Sequence, residues 1–141
     1  MKINYSEISK TYDNHRSYGD LNIERMVGFG NIRDGMKVLD VGCGTGNLSA
    51  SLKEYIDVKS IGIDKTFQML DKAKEKTLDV ICADVECNLP FNDRTFDAVI
   101  GSYFLHYIRD RQSLVSECFR ILQDSGSLIF LTSSHESMMS I

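Results

Sequence analysis

The sequence predicts an α/β domain, a doubly wound parallel sheet with helices on both faces. Three observations predict it. Short apolar runs of strand length alternate with amphipathic segments of helix length. The first run, MKVLDV at 36–41, is almost continuously apolar, as a strand buried on both faces is. It ends in a turn with three glycines within five residues, Gly42, Gly44 and Gly46.

The elements follow in order. Residues 1–34 read as an N-terminal helical cap segment, with a helix at about 20–30 capped by Asp20. Its inner face is Ile23, Met26 and Val27. After the glycines, Leu48, Leu52, Tyr55 and Ile56 recur at helical spacing and predict a helix over 46–56. SIGID (60–64) is a second strand. Thr66 then caps a helix with Phe67, Leu70 and Ala73 inside and Lys72, Lys74 and Lys76 outside. DVICAD (79–84) and TFDAVIGSYF (95–104) are the third and fourth strands, joined by a patternless loop that holds the only proline, Pro90. Leu114, Val115, Cys118, Ile121 and Leu122 mark a helix that ends before Gly126, and SLIFLTSS (127–134) is the last strand. One domain over 1–141, with its core in 36–134, is the expectation.

Composition narrows the function classes. A chain of 141 residues supports one core and is too short for two domains. Net charge is −4 with no cluster of Lys and Arg, which speaks against charge-driven nucleic-acid binding. The start, MKINYSEISK, lacks the apolar core of a signal peptide, and no apolar run approaches the roughly 20 residues that span a bilayer. A cytoplasmic protein without membrane contact is expected. Cys43, Cys82, Cys87 and Cys118 form no C-x-x-C pair, so neither a metal site nor a disulfide framework is indicated. Cys82 and Cys118, in apolar segments, are expected in the core.

In a doubly wound sheet the first strand-to-helix turn faces the ligand crevice, and glycines there let the backbone approach a ligand. The dinucleotide fingerprint is G-x-G-x-x-G; here the spacing is G-x-G-x-G, preceded by Asp40. A carboxylate there would repel a pyrophosphate and attract an ammonium or sulfonium. Asp64, at the end of the second strand, can accept from both ribose hydroxyls, or simply serve as a turn acid. Asp84, at the end of the third, can accept from the exocyclic amino group of a base.

VLDVGCGTGN, IGIDKTFQMLDKAKEK, ADVECNLPF, FDAVIGSYFLHYI and ECFRILQDSGSLIFLT resemble, in this order, the motifs of class I S-adenosylmethionine-dependent methyltransferases. They are similar to the small-molecule branch of the ubiquinone and menaquinone methyltransferases, over about residues 36–133. The resemblance implies a Rossmann-like fold, S-adenosylmethionine as cofactor and S-adenosylhomocysteine as product. By position it implies that Asp40, Gly42, Cys43, Gly44 and Gly46 hold the methionine end, with Asp40 facing the ammonium. It implies Asp64 on the ribose, Lys65 and Met69 packed on the adenine, and Asp84 and Val85 reading its edge. Ser102 then makes a backbone contact near the sulfonium.

Methyl transfer is an in-line displacement on an activated group, so positioning matters more than acid–base chemistry. His106 is the candidate base, with a half-buried histidine on a helix turn as the plain alternative. Tyr5, Tyr12, His15 and Arg16 are lid candidates or ordinary surface residues. GSYF stands where an N-P-P-[YF] motif would follow the fourth strand, and no Pro-Cys dipeptide occurs. DNA methylation is thereby disfavoured and a small-molecule acceptor favoured.

Complete members of the family continue past the fifth strand with two more, whereas this chain stops at HESMMSI. The implied order is 3-2-1-4-5, with strand 127–133 at an open edge. Either the chain is truncated there, or the edge is covered by a partner subunit or the N-terminal segment. Self-association through it into a homo-oligomer is the expectation. Two rival readings stand beside methyl transfer. One is a non-catalytic S-adenosylmethionine-binding module or partner subunit. The other is an NAD-dependent oxidoreductase, which the glycine spacing and Asp40 oppose.

Overall fold

Strands and helices alternate as the apolar periods predict. The computed structural model describes residues 19–76, 78–132 and 138–140. Helix α1 (Asp20–Gly30) precedes β1 (Lys37–Val41), α2 (Asn47–Tyr55), β2 (Lys59–Asp64), α3 (Phe67–Glu75) and β3 (Asp79–Cys82). A long loop leads to β4 (Phe96–Ser102), a 3-10 turn (Leu105–Tyr107), α4 (Arg111–Ile121), β5 (Leu122–Leu131) and β6 (Met138–Ser140).

The sheet order is β3-β2-β1-β4-β5-β6. The first five strands run parallel in the order 3-2-1-4-5. β1 lies at the centre, with Asp40 opposite Gly62 of β2 and Ile100 of β4. After Lys37 every residue of β1 is buried, so each strand face needs its own helical cover. On one face Ile23 and Met26 of α1 and Leu48 and Leu52 of α2 pack against Val38, Ala98, Ile100 and Ile129. On the other, Leu114, Cys118 and Ile121 of α4 pack against Leu39, Val99, Leu128 and Phe130. Full burial of each such side chain contributes about 1.5–3 kcal/mol. Alternation along β1 puts Asp40 on the α1/α2 face, the one polar member of an apolar row.

Several local expectations are corrected. Gly19, not Asp20, holds the N-cap position of α1, and Asp20 is already helical. Thr66 does sit at the N-cap of α3, but its side chain makes no capping bond. Tyr55 and Phe67 are 51% and 59% exposed rather than inward. In α2 the buried positions are Leu48, Ser49 and Leu52, which share an arc of about 100° that Tyr55 lies outside. In α3 the arc is Met69, Leu70 and Ala73; Phe67 falls about 60° outside it, with the Lys74 ammonium 5.5 Å from its ring centroid. Cys118 is buried as expected, whereas Cys82 is exposed, because β3 is the outer strand of the sheet.

The last helix and strand also differ from the pattern. α4 stops at Ile121, and Leu122 already pairs with Phe96 in the sheet, ahead of a bulge. The strand read at 127–133 is not an open edge. β6 pairs antiparallel with it, Ile129 opposite Ser140 and Leu131 opposite Met138. The chain's own backbone therefore takes the hydrogen bonds that suggested pairing with a second copy there.

Candidate functional site

The carboxyl ends of β1, β2, β3 and β4 carry the candidate residues. The turn after β1 runs in left-handed backbone, with φ of +65° at Gly42, +55° at Gly44 and +83° at Gly46. The three glycines are needed for different reasons. A Cβ on Gly46 would lie 2.4 Å from Leu78 Cδ1, and one on Gly42 would lie 2.9 Å from Phe104 Cγ. Those two are closed in by the fold itself. At Gly44, Met69 Sδ at 3.5 Å is the sole atom of the described residues within 4 Å of such a Cβ. Packing within the described fold therefore leaves open space at Gly44, where the left-handed backbone alone favours glycine.

Phe104 is brought under Gly42 by a sharp turn. Tyr103 adopts φ +55°, an uncommon conformation for a non-glycine residue, and donates its N–H to Leu131 O at 2.9 Å. The Phe104 ring then fits between Gly42 and Gly101 and meets Phe130 edge-on at 5.2 Å.

Asp40 sits beneath the turn. It is 1% exposed, and its Oδ2 accepts from Ser49 Oγ at 2.8 Å; Ser60 Oγ donates in turn to Ser49 Oγ at 3.0 Å. Its Oδ1 is buried with no hydrogen-bond partner among the described residues. Burial pushes the carboxyl up to about 7, the Ser49 hydrogen bond opposes this, and the charge of Asp64 adds to it. A buried acceptor left open is costly unless something cationic or protonated comes to it. The same burial, helped by Asp40 and Asp64, raises the Cys43 thiol well above its usual range. Cys43 is an inert packing residue whose sulfur lies where a Cβ on Gly62 would be, 2.7 Å away.

Asp64 has a double structural role. Its Oδ2 accepts from the Gly44 N–H at 3.0 Å and its Oδ1 from the Thr66 N–H at 2.8 Å. A carboxylate offers about four lone-pair positions, so two remain for ligand hydroxyls. Asp84 is exposed and accepts from the Glu86 N–H at 2.9 Å, while Val85 beside it is buried. Lys65 is exposed and Met69 buried, its sulfur bordering Gly44. Ser102 is buried at the end of β4.

His106 is exposed, on the 3-10 turn, with its ring 3.9 Å from that of Tyr107. Two bonds tie this rim together. The Arg109 N–H reaches Glu86 Oε1 at 2.7 Å, joining the loops after β3 and β4, and Arg111 Nε donates to Leu105 O at 3.0 Å. Tyr5, Tyr12, His15 and Arg16 lie outside the described residues. Sequence reasoning missed Ser49 and Ser60. Their signal was a hydroxyl at an inward position of an otherwise apolar helix face and strand.

Comparison with known proteins now decides the family. A model of the methyltransferase domain matches residues 39–130, from β1 through β5. The chain belongs to the S-adenosylmethionine-dependent methyltransferases. Over 143 residues it is 30% identical to the malonyl-[acyl-carrier protein] O-methyltransferase of Marinomonas sp. (strain MWYL1), covering 97% of this chain and 53% of that protein. Over 137 residues it is 28% identical to the demethylmenaquinone methyltransferase of Oceanobacillus iheyensis, covering 92% and 56%. The chain thus spans about half the length of these relatives. Among solved structures, a Haemonchus contortus phosphoethanolamine N-methyltransferase, in complex with phosphomonomethylethanolamine and S-adenosylhomocysteine, superposes with a TM-score of 0.76. That match, at 20% identity, covers 89% of this methyltransferase-family chain and 32% of the other and concerns the fold.

The described residues fit the family's cofactor. An unpaired buried carboxylate oxygen suits its ammonium, and the turn at Gly44 leaves room that a Cβ would fill.

Proposed function

We propose that this methyltransferase-family domain binds S-adenosylmethionine and transfers its methyl group to a small-molecule acceptor in the cytoplasm. The observation that carries the reading is Asp40, buried at the end of β1 with one oxygen unpaired, under a glycine turn that Asp64 clasps. In this reading the methionine end lies along Asp40, Gly42, Cys43, Gly44 and Gly46. Asp64 takes the ribose, Lys65 and Met69 flank the adenine, Asp84 and Val85 meet its edge, and Ser102 supports the sulfonium end.

The cofactor supplies an activated methyl group. The protein's part is to hold donor and acceptor at attack distance and keep water away. His106, exposed on the 3-10 turn after β4, is the candidate base for an acceptor that must lose a proton. A carboxylate acceptor would need no such base. The names of the relatives favour small acceptors of two kinds, a quinol-type ring and a carboxyl group on a carrier thioester.

The test is calorimetric titration with S-adenosylhomocysteine, with NAD as control, followed by methyl transfer from labelled cofactor to a demethylquinol and to a malonyl thioester. Micromolar binding of S-adenosylhomocysteine alone supports the cofactor reading, and label in either acceptor supports the activity. Binding of NAD alone overturns both. Binding without transfer to any small acceptor favours the non-catalytic module.

A further inference from the structure

Resting on the cofactor reading above, a second role follows from the buried chain Asp40–Ser49–Ser60. This chain links three elements, β1, α2 and β2, through hydrogen bonds of 2.8 and 3.0 Å. Among the described residues, the hydrogen bonds of these two hydroxyls run only to Asp40 and to each other. Ser49 is 2% and Ser60 5% exposed on faces otherwise built from Leu48, Leu52 and Val38. An apolar pair would pack without a polar group to satisfy. Their hydrogen bonds instead converge on one oxygen of Asp40 and leave the other open.

We propose that Ser49 and Ser60 are positioning residues for the Asp40 carboxylate, and that an ammonium-bearing ligand entering the site displaces a proton from Asp40.

The charges around Asp40 set the direction. Asp64 at the end of β2 is the acid whose charge acts on it, and the Cys43 thiol on the turn stays neutral. Glu24 and Arg25 of α1 and Lys53 and Glu54 of α2 are exposed, and Asp97 of β4 is engaged by the Lys37 N–H at 2.9 Å. No described cation is hydrogen-bonded to Asp40, so the chain's own groups favour the protonated acid. A ligand cation within a few ångströms favours the carboxylate. The ammonium arrives already charged, so the proton from Asp40 leaves to the buffer and the balance closes. Ser49, donating to Oδ2, stabilises the carboxylate form, and Ser60 holds Ser49 in the donating orientation.

The experiment is titration of the chain with S-adenosylhomocysteine at pH 6 and 7 in pairs of buffers with different ionisation enthalpies. This reads protons released per ligand bound. About half a proton at pH 7 is expected, since the carboxyl titrates at about 7, and closer to one at pH 6. 5′-Methylthioadenosine, which lacks the amino-acid end, is expected to release none. Asp40→Asn is expected to abolish the release. Ser49→Ala is expected to move its midpoint to higher pH, Ser60→Ala to move it less, and Ser49→Thr to restore it. Unchanged methylthioadenosine affinity in the serine variants shows that the site still folds. Binding of S-adenosylhomocysteine without proton release, or with a midpoint indifferent to Ser49→Ala, overturns this inference alone. No binding by a folded chain overturns the cofactor reading and this inference with it.

Discussion

Asp64 and Gly44 are joined across the crevice, the Gly44 N–H donating to Asp64 Oδ2 at 3.0 Å. The carboxylate at the end of β2 thus fixes the glycine turn at the end of β1, while its other oxygen holds the Thr66 N–H and starts α3. One side chain shapes both walls of the site.

Replacing Asp64 by Ala removes both charge-assisted bonds and lets the turn relax. A loss of about 1–3 kcal/mol in stability is expected, with binding of S-adenosylhomocysteine and methylthioadenosine weakened alike. Asp64→Asn, which keeps one acceptor oxygen, should lose about half as much. Denaturant unfolding and calorimetry check both points. A variant that keeps full affinity for both ligands would remove Asp64 from the site.

The glycines separate fold from ligand. Gly46→Ala must place a methyl group against Leu78 and Ala73 in left-handed backbone, and should cost about 2–4 kcal/mol or prevent folding. Gly44→Ala meets only Met69 Sδ at contact distance, so its cost is the backbone strain of about 1 kcal/mol. It should nevertheless reduce S-adenosylhomocysteine affinity at least tenfold. Thermal melts beside titrations distinguish the two, and a Gly44→Ala protein that binds normally would contradict the assigned ligand path.

What the sequence disclosed follows from the physics of each element. The central strands were legible because burial on both faces leaves unbroken apolar runs, and the turn because its three glycines fall within five residues of the chain. Asp40, Asp64 and Asp84 were legible as acids closing strands. The faces of α2 and α3 were not, because nine-residue helices tolerate an apolar residue outside the buried arc, as Tyr55 and Phe67 show. β6 was not legible either. Three residues carry no period, and their pairing with β5 is a tertiary fact. Ser49 and Ser60 gain their meaning only when β1, β2 and α2 are brought together.

Asp40 predicts an unusual pH dependence of stability. Its carboxyl rises from 3.8 to about 7 on folding, so the folded chain holds a proton that the unfolded chain has lost. The resulting stability is fully present below pH 3.8 and is lost as pH rises to about 7. At 1.36 kcal/mol per pH unit the loss is at most about 4 kcal/mol. Glu117, held low by Arg120, acts with the opposite sign, its contribution falling away below pH 4.5. Of these two carboxyls only Asp40 contributes a slope between pH 5 and 7, and Asp40→Asn should reduce it. Urea melts of both proteins across that range decide it; parallel slopes would refute the assignment.

The loop after β3 depends on Arg120. Its guanidinium donates to Leu89 O at 2.9 Å and Phe91 O at 2.8 Å, to Asp93 Oδ1 at 2.9 Å, and to both oxygens of Glu117. Glu117 also takes the Leu89 N–H at 2.8 Å. The loop has no regular structure of its own, so this fork from α4 replaces the ladder it lacks and fixes the segment from Leu89 to Asp93, just after Asp84 and Val85. Arg120→Lys can satisfy only part of this planar pattern and should destabilise by about 1–2 kcal/mol, Arg120→Ala by about 2–3 kcal/mol. Because the loop carries Asp84 and Val85, hydrogen exchange of the Glu86, Cys87 and Leu89 amides should accelerate more than that of β1. Uniform acceleration across the sheet would mean that Arg120 supports the whole domain rather than this wall of the site.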